Sequence, residues 1–263
     1  MPISTANGLA IHYEVQGDGP PLVMVHANPY DRRLFLYQVA RFSPFYRVVT
    51  LDLRGYGLSD KPTDPFMLED MTQDVLGVCD DLGIARAIFL GVSVGSGIAL
   101  KIGLDHPERA RALVLVGGSS RPGGNIRKRI DAFAEMGPAR YRPLYMPELF
   151  APGFTKTRTG RWVMDMFSDD ADKLDARSIG RIFEARAAEN MLPRLGEIDL
   201  PVLVINGEHD NSLERGRETA EHVPGAQHVL LPGTGHACCI EDPAAFDAAM
   251  IGFFKGKDLW AGD

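Results

Sequence analysis

The stretch Gly91-Val92-Ser93-Val94-Gly95 is the feature that most constrains how this chain can fold. It follows a short apolar run typical of a buried strand and precedes a helix-like segment that ends before Pro107. A chain that passes from strand to helix here must turn so sharply that side chains two positions either side of Ser93 would meet the backbone. Glycine at both positions removes this conflict. The pattern predicts a tight strand-turn-helix junction with Ser93 at its apex.

Apolar runs of strand length recur along the chain, with helix-like segments between them. The runs are nearly continuous in apolar character, which is typical of strands covered on both faces of a parallel sheet. Their alternation with helices predicts a doubly wound, mostly parallel α/β sheet. The predicted strands are Ala10 to Val15, Pro21 to His26, Arg47 to Leu53, Ala87 to Leu90, Ala112 to Val116, Pro201 to Asn206 and Gln227 to Leu231. The predicted helices are Asp31 to Phe42, Leu68 to Leu82, Val94 to Asp105, Leu213 to His222 and Pro243 to Phe254.

One interval interrupts this alternation. From Ser119 to Leu200 there is no strand-like run, and the helix-period segments there are Ile126 to Met136, Thr159 to Phe167 and Ala176 to Ala188. We expect residues 1–118 and 201–263 to form one α/β core, and residues 119–200 to form a helical insertion between two core strands. The aromatic residues of the insertion can both pack and face a cavity, and Phe150 and Trp162 are candidates for substrate contact.

Composition and charge limit the classes of partner. The chain has 28 basic and 35 acidic residues, and its longest basic run is Arg127-Lys128-Arg129, which argues against nucleic-acid binding. The N-terminal residues lack the basic and apolar regions of an export signal, and the weakly polar stretch Ala87 to Leu100 is too short to cross a bilayer. We therefore expect a cytoplasmic protein that acts on a small molecule, without a membrane partner. No oligomeric state is predicted.

The three cysteines do not suggest a disulfide framework. Cys79 is isolated, while Cys238 and Cys239 are adjacent and lack the C-x-x-C spacing of redox or metal motifs. Their proximity to His236 raises the alternative of redox sensitivity, but no neighbour that would stabilise a thiolate is predicted. Reduced thiols are the expectation, and neither a metal nor a cofactor is predicted.

Five short motifs carry a resemblance to a known family. They are His26-Ala27-Asn28-Pro29 after an early strand, Asp52-Leu53-Arg54-Gly55-Tyr56-Gly57-Leu58-Ser59 after the next, the glycine-flanked Ser93, Gly207-Glu208-His209-Asp210, and Gly235-His236. In this order and at these intervals, the chain resembles an α/β-hydrolase fold enzyme over essentially its full length. The resemblance implies that the insertion is a cap over the active site.

The resemblance also implies a catalytic triad. A serine hydroxyl becomes a nucleophile at neutral pH when an imidazole, oriented by a carboxylate, accepts its proton. In the family the acid follows a late strand and the histidine follows the last one, which assigns Ser93 as nucleophile, Asp210 as acid and His236 as base. Glu208 is an alternative acid. The other histidines considered, His12, His106, His209, His222 and His228, lie in predicted strands, at helix ends or beside the acid.

An oxyanion hole requires two backbone N–H groups directed at one point. The N–H of Val94, directly after Ser93 and at the start of a helix, is the first candidate. The N–H of Ala27, in the loop after an early strand, is the second, because a small side chain leaves it accessible. Asn28 is a third candidate for substrate contact, and His26 is expected to hold the shape of this loop.

Differences between this chain and particular branches of the family narrow the range of reactions that we expect. Asn28-Pro29 is similar to haloalkane dehalogenases and epoxide hydrolases, but those enzymes use an aspartate where this chain has Ser93. Carbon-carbon bond hydrolases typically have asparagine and tryptophan where Val92 and Ala237 stand. The C-terminal part is similar to enol-lactonases and small carboxylesterases. We expect a metal-free serine hydrolase of a small to medium, largely apolar ester or lactone. The alternatives are carbon-carbon bond hydrolysis of diketone ring-fission products, a cofactor-free perhydrolase, and a slow-turnover ligand sensor.

Overall fold

The computed structural model describes residues 2–123, 126–169 and 173–262. Within these ranges the strands form one sheet in the order β1-β2-β4-β3-β5-β6-β7-β8. β2 pairs antiparallel with β1 and β4, and all other neighbours are parallel. The strands are β1 (Ile3–Ser4), β2 (Ile11–Gln16), β3 (Pro21–Val25), β4 (Arg47–Leu51), β5 (Ala87–Val92), β6 (Ala110–Val116), β7 (Val202–Gly207) and β8 (Gln227–Leu231). The predicted doubly wound, mostly parallel sheet is confirmed.

Ten α-helices are described over the same ranges. In the order of the chain, they are α1 (Leu36–Phe42), α2 (Leu68–Asp81), α3 (Val94–Asp105), α4 (Ile126–Met136), α5 (Pro138–Tyr145), α6 (Arg158–Ser168), α7 (Ala176–Ala187), α8 (Leu213–His222), α9 (Cys238–Glu241) and α10 (Pro243–Gly256). Short 3-10 turns connect several of them. The helices α4 to α7 all lie between β6 and β7.

Both faces of the sheet are covered, which explains the continuous apolar runs. Because successive side chains of a strand point to opposite faces, Val23 and Val25 of β3 join one core cluster with α2 and α3. Leu22 and Met24 join a second cluster with α1 and α10. A strand buried on both sides has no position that favours a polar residue, so no alternation appears in the sequence.

The structure differs from the sequence-based boundaries in a few places. The predicted helix from Asp31 begins as a 3-10 turn (Arg32–Phe35), which Asp31 caps by accepting a hydrogen bond from the Arg33 N–H at 2.9 Å. The two-residue β1 was not predicted, because a strand of that length has no periodicity. Helix α5 was not predicted either, since it begins with Pro138 and contains Pro143. Proline is tolerated in the first position of a helix, where its missing N–H would have no partner.

The α4–α7 segment is fastened to the loop after β3. The fully buried guanidinium of Arg142 donates to the carbonyl of Pro29 at 2.6 Å and also to the carbonyl of Phe167. The ring of Tyr30 lies edge-on to Phe167, with 4.9 Å between the ring centres, and to Phe150 at 6.3 Å. These contacts hold the segment against the carboxyl edge of the sheet.

Asp247 in α10 is a buried carboxyl that faces α1. Gln38 Nε2 donates a hydrogen bond to its Oδ1 at 3.0 Å. Burial raises the pKa of Asp247 from its ordinary value of 3.8 to about 6. The folded state therefore holds this proton more tightly than the unfolded state. The stability that protonation contributes is complete below about pH 4 and is lost as the pH rises through about 6.

We expect Asp247→Asn, which cannot ionise, to exceed the wild type in free energy of unfolding by about 1 kcal/mol near pH 8. This is less than the full pKa shift implies, because the group keeps some contact with solvent. The difference should shrink towards about pH 4, and urea unfolding at stepped pH measures it. Asp18→Asn, at an exposed aspartate, is the control. If the difference in free energy of unfolding between Asp247→Asn and the wild type stayed constant with pH, the prediction would be contradicted.

Candidate active site

The parallel strands bring the predicted site residues to one edge of the sheet. The loops that follow β3, β5, β7 and β8 all leave at the carboxyl ends of these strands, where ligands bind in open α/β sheets. These loops carry Ala27, Ser93, Asp210 and His236. Residues that are far apart in the sequence are therefore close together in the structure, because their strands lie side by side in the sheet.

Ser93 occupies the turn between β5 and α3 in a conformation that few residues other than glycine adopt, with φ of 55° and ψ of −109°. A Cβ atom at Gly91 would lie 2.0 Å from the carbonyl oxygen of Gly95. A Cβ atom at Gly95 would lie 2.1 Å from the carbonyl oxygen of Val25. The two flanking glycines are therefore required by close backbone approach, and the second of them lets the turn pack against the end of β3.

Asp210 and His236 form a buried pair. Asp210 Oδ1 lies 2.8 Å from His236 Nδ1, and both residues are 6% exposed. The Ser212 N–H donates to the same carboxylate at 2.8 Å, and Asn206 Nδ2 donates to its other oxygen at 2.9 Å. Burial alone would raise the pKa of Asp210, but His236 and these donors outweigh it and hold the pKa well below its usual range. An ionised carboxylate can only accept, so His236 carries its proton on Nδ1 and presents Nε2 as an acceptor.

Another histidine, His228, fixes the orientation of Asn206, which in turn binds Asp210. His228 Nε2 lies 3.1 Å from Asn206 Oδ1 and donates to it, because an amide oxygen only accepts. Burial lowers the pKa of His228, which favours its neutral form. The hydrogen bond fixes which way the Asn206 amide points, so that its Nδ2 faces Asp210. Asn206 and Ser212 were not singled out from the sequence, where neither belongs to a recognisable motif.

The carboxylate of Glu208, the alternative acid, binds the main chain and not His236. Glu208 is exposed, and its Oε2 accepts a hydrogen bond from the N–H of Gly233 at 2.9 Å. Its neighbour His209 is also exposed, and its N–H donates to the carbonyl of Thr234. In this geometry Asp210, and not Glu208, is the carboxylate on His236.

The loop that carries Ala27 is held by His26. The Leu53 N–H donates to His26 Nε2 at 2.9 Å, and His26 Nδ1 donates to the Ala27 carbonyl at 3.0 Å. Burial lowers the pKa of His26, which keeps the ring neutral and able to make both contacts. The loop runs beside the Ser93 turn, since a Cβ at Gly95 would lie 2.8 Å from the His26 carbonyl oxygen. Ala27 directly follows His26 and Val94 directly follows Ser93, and the assignment of both as oxyanion donors stays a prediction.

A cavity of about 190 Å³ opens at this edge of the sheet. It joins the predicted nucleophile and base to side chains from the core loops, from α8 and from the α4–α7 segment. Its lining residues are Asn28, Ser93, Val94, Gly117, Gly118, Ser119, Pro122, Gly123, Arg129, Leu149, Phe183, Arg186, Asn211, Ser212, Arg215 and His236.

Two of the three predicted substrate contacts do not line this cavity. Asn28 does, but Phe150 instead stacks on Phe154, with 5.0 Å between ring centres, and packs edge-on to Tyr30. Trp162 is 47% exposed. The aromatic content of the insertion therefore misidentified the lining residues, because α6 turns Val163 inwards and leaves Trp162 on its outer face.

The lining is also less apolar than the sequence suggested. Leu149 and Phe183 supply apolar surface, but three arginines, Arg129, Arg186 and Arg215, face the same space. No motif marks these arginines in the sequence. They come from α4, α7 and α8, which only the tertiary fold brings together.

In the described part of the chain, no group of three or more histidine, cysteine, aspartate or glutamate side chains could hold a metal ion. No helix in the same ranges is long and apolar enough to cross a membrane. The buried thiols of Cys238 and Cys239 have raised pKa values because of burial, which disfavours the reactive thiolate.

Comparisons with known proteins show the family and the fold of the chain. A model of the alpha/beta hydrolase fold family matches residues 20–180, which include Ser93 but end before Asp210. The chain is 26% identical to 3-oxoadipate enol-lactonase 2 of Acinetobacter baylyi, over 95% of both proteins. It is 31% identical to the 2-hydroxymuconate semialdehyde hydrolase of Pseudomonas sp. strain CF600, over 96% of this chain and 92% of that protein. The structure superposes on an enol-lactonase from Burkholderia xenovorans LB400 with a TM-score of 0.91 and 29% identity, over 97% of this chain and 100% of the other.

Proposed function

Because this chain belongs to the α/β-hydrolase family and is a hydrolase, we propose that it cleaves a carboxylic ester or lactone through an acyl-enzyme on Ser93. The observation that carries the proposal is one arrangement of three side chains. Ser93 and His236 line the same cavity, while Asp210 binds the far ring nitrogen of His236. This arrangement suits a histidine that exchanges a proton with a serine hydroxyl.

The proposed reaction has two halves. In the first, Ser93 Oγ attacks the substrate carbonyl while His236 Nε2 accepts the hydroxyl proton, and Asp210 stabilises the resulting imidazolium. The N–H groups of Val94 and Ala27 hold the negative oxygen. His236 then returns the proton to the departing alkoxide. In the second half water attacks the acyl group with the same assistance, which releases the acid and restores Ser93.

We also propose that residues 119–200 act as a cap that selects the substrate. The segment is tied to the core through Arg142 and contributes several cavity-lining side chains, among them Arg129, Leu149, Phe183 and Arg186. A side chain that contacts only the variable part of a substrate changes preference without supplying chemistry.

Carbon-carbon bond hydrolysis is the second candidate. It is supported by the resemblance to the Pseudomonas 2-hydroxymuconate semialdehyde hydrolase over nearly the whole chain. The ester and lactone proposal is preferred because Val92 and Ala237 stand where that branch typically has asparagine and tryptophan.

One substrate panel tests these alternatives. The panel holds p-nitrophenyl esters of graded acyl length, five- and six-membered lactones, and a vinylogous diketone of the ring-fission type. We expect the highest kcat/KM on an ester or lactone, at least about tenfold above the diketone. Ser93→Ala protein from a parallel preparation reports any contaminating hydrolase. The opposite ranking would favour carbon-carbon cleavage, and saturable binding with hardly any turnover would favour a ligand sensor.

A further inference from the structure

The cavity is lined by cations although the chain as a whole is acidic. The formal net charge is −7, yet the described residues that line the cavity include Arg129, Arg186 and Arg215 and no aspartate or glutamate. Like charges that share a small space repel one another, and such repulsion is offset when an anion binds among them. We call these three residues the arginine cluster.

The acidic residues near the cluster are already engaged. Asp210 accepts hydrogen bonds from His236, Ser212 and Asn206. Glu218 is paired with Arg121, with 2.7 Å between the carboxylate and the guanidinium. The charge of Asp210 offsets part of that of Arg215, and the charge of Glu189 part of that of Arg186, but in the described part of the chain neither carboxylate forms a salt bridge with an arginine of the cluster.

The hydrogen bonds of Arg186 hold it in place without neutralising it. Its guanidinium donates to main-chain carbonyls, those of Ser119, Arg121 and Glu189, and a carbonyl carries no net charge. Burial and, to a smaller extent, the nearby Arg215 lower the pKa of Arg186 to about 10 against the opposing charge of Glu189, and at neutral pH the group remains charged. The charged guanidinium of Arg186 is therefore held in a fixed position at the wall of the cavity.

Arg215 has hydrogen-bonding capacity to spare. Its Nε atom is buried and has no hydrogen-bond partner among the described residues, and the hydrogen bond that it makes to the carbonyl of Asn211, just before α8, is long at 3.5 Å. Burial lowers the pKa of Arg215, and the charges of Arg121 and Arg129 act in the same direction, while the charge of Asp210 opposes the shift. A buried donor without a partner costs free energy that a bound acceptor would recover.

We propose that the arginine cluster binds a carboxylate carried by the substrate. The proposal rests on the proposed function and names its substrate class: half-esters of short dicarboxylic acids, or lactones that bear a carboxylate side chain. The scissile carbonyl lies at Ser93 while the carboxylate lies against Arg215 and Arg186, and Leu149 and Phe183 contact the carbon chain between them. Arginine suits this role because its planar guanidinium pairs with a carboxylate through two hydrogen bonds.

A matched pair of substrates tests the proposal. Mono-p-nitrophenyl glutarate carries a free carboxylate, and its methyl ester is the same molecule with that charge removed. After subtraction of spontaneous hydrolysis, we expect the wild type to prefer the charged ester by about tenfold or more in kcat/KM, and the preference to fall as salt is added. In Arg215→Gln this ratio should drop towards one. Arg217→Gln, at an exposed arginine of α8 that pairs with Glu214, is the matched control and should keep the wild-type ratio.

A binding measurement separates this proposal from the proposed function. Glutarate has no bond to cleave, so calorimetric titration reads the carboxylate site whether or not either ester is hydrolysed. We expect its Kd to rise about tenfold or more in Arg215→Gln and to stay unchanged in Arg217→Gln. Equal kcat/KM on the two esters, or glutarate binding that is absent or equal in wild type and Arg215→Gln, overturns the carboxylate site. If neither ester is hydrolysed but glutarate binds in an Arg215-dependent way, the ester hydrolase proposal fails and the carboxylate site stands.

Discussion

Ser93→Ala is expected to lower kcat on any hydrolysed substrate by on the order of 10³ or more, while the protein remains folded. The loss follows from the removal of the only atom that forms the covalent bond in the proposed reaction. Alanine fits the same turn, because the side chain becomes smaller and the neighbouring glycines are unchanged. Steady-state kinetics and thermal unfolding of the purified variant measure the two effects.

Covalent labelling provides the direct check on Ser93. A fluorophosphonate should add once to the wild type in intact-mass analysis and should not add to Ser93→Ala. Ser168→Ala is a suitable control, because Ser168 in α6 donates its hydroxyl to the Met164 carbonyl and lies outside the cavity lining. Active enzyme that takes no label, or a label on another residue, would show that the nucleophile is elsewhere.

Asp210→Asn is expected to cost on the order of 10⁴ in kcat. The carboxylate accepts the Nδ1 proton of His236 at 2.8 Å and thereby keeps Nε2 free to receive the proton of Ser93. An amide at this position can present its NH₂ group to Nδ1, which moves the ring proton to Nε2 and removes the base. Kinetics at several pH values distinguish this loss of the correct tautomer from a simple shift in the optimum.

Glu208→Gln is the matched comparison for the acid. Its carboxylate accepts from the Gly233 N–H on the exposed side of the same loop, so we expect a loss of less than about tenfold. Thermal unfolding of both variants shows whether either loss reflects misfolding. If Glu208→Gln proved as damaging as Asp210→Asn, the assignment of the acid would have to be abandoned.

Some parts of this fold could be predicted because they depend on local rules. The core strands are visible because burial on both faces makes each one a continuous apolar run. The turn at Ser93 is visible because its geometry excludes side chains at Gly91 and Gly95. Asp210 and His236 could be proposed together because the chain resembles a family in which the acid follows a late strand and the histidine follows the last one.

The cavity wall could not be predicted in the same way. An arginine in a helix usually lies in solvent, and nothing in the sequence near Arg129, Arg186 or Arg215 indicates that the three face one space. The prediction that Phe150 and Trp162 line the cavity was wrong for a related reason. Which face of α6 turns inwards is set by its packing partners, and these bury Val163 and Phe167 while Trp162 stays outside.

The anchoring of the α4–α7 segment has a consequence for how such proteins diverge. Two of the hydrogen bonds of Arg142 go to main-chain carbonyls, at Pro29 and Phe167, and every amino acid supplies a carbonyl. The side chains at the accepting positions can therefore change during evolution without loss of those two bonds. Among descendants of this chain, position 142 would be retained while its partners vary, so correlated substitution would not reveal the contact. A segment fastened in this way can acquire new lining residues, and with them new substrates, while its attachment to the core is preserved.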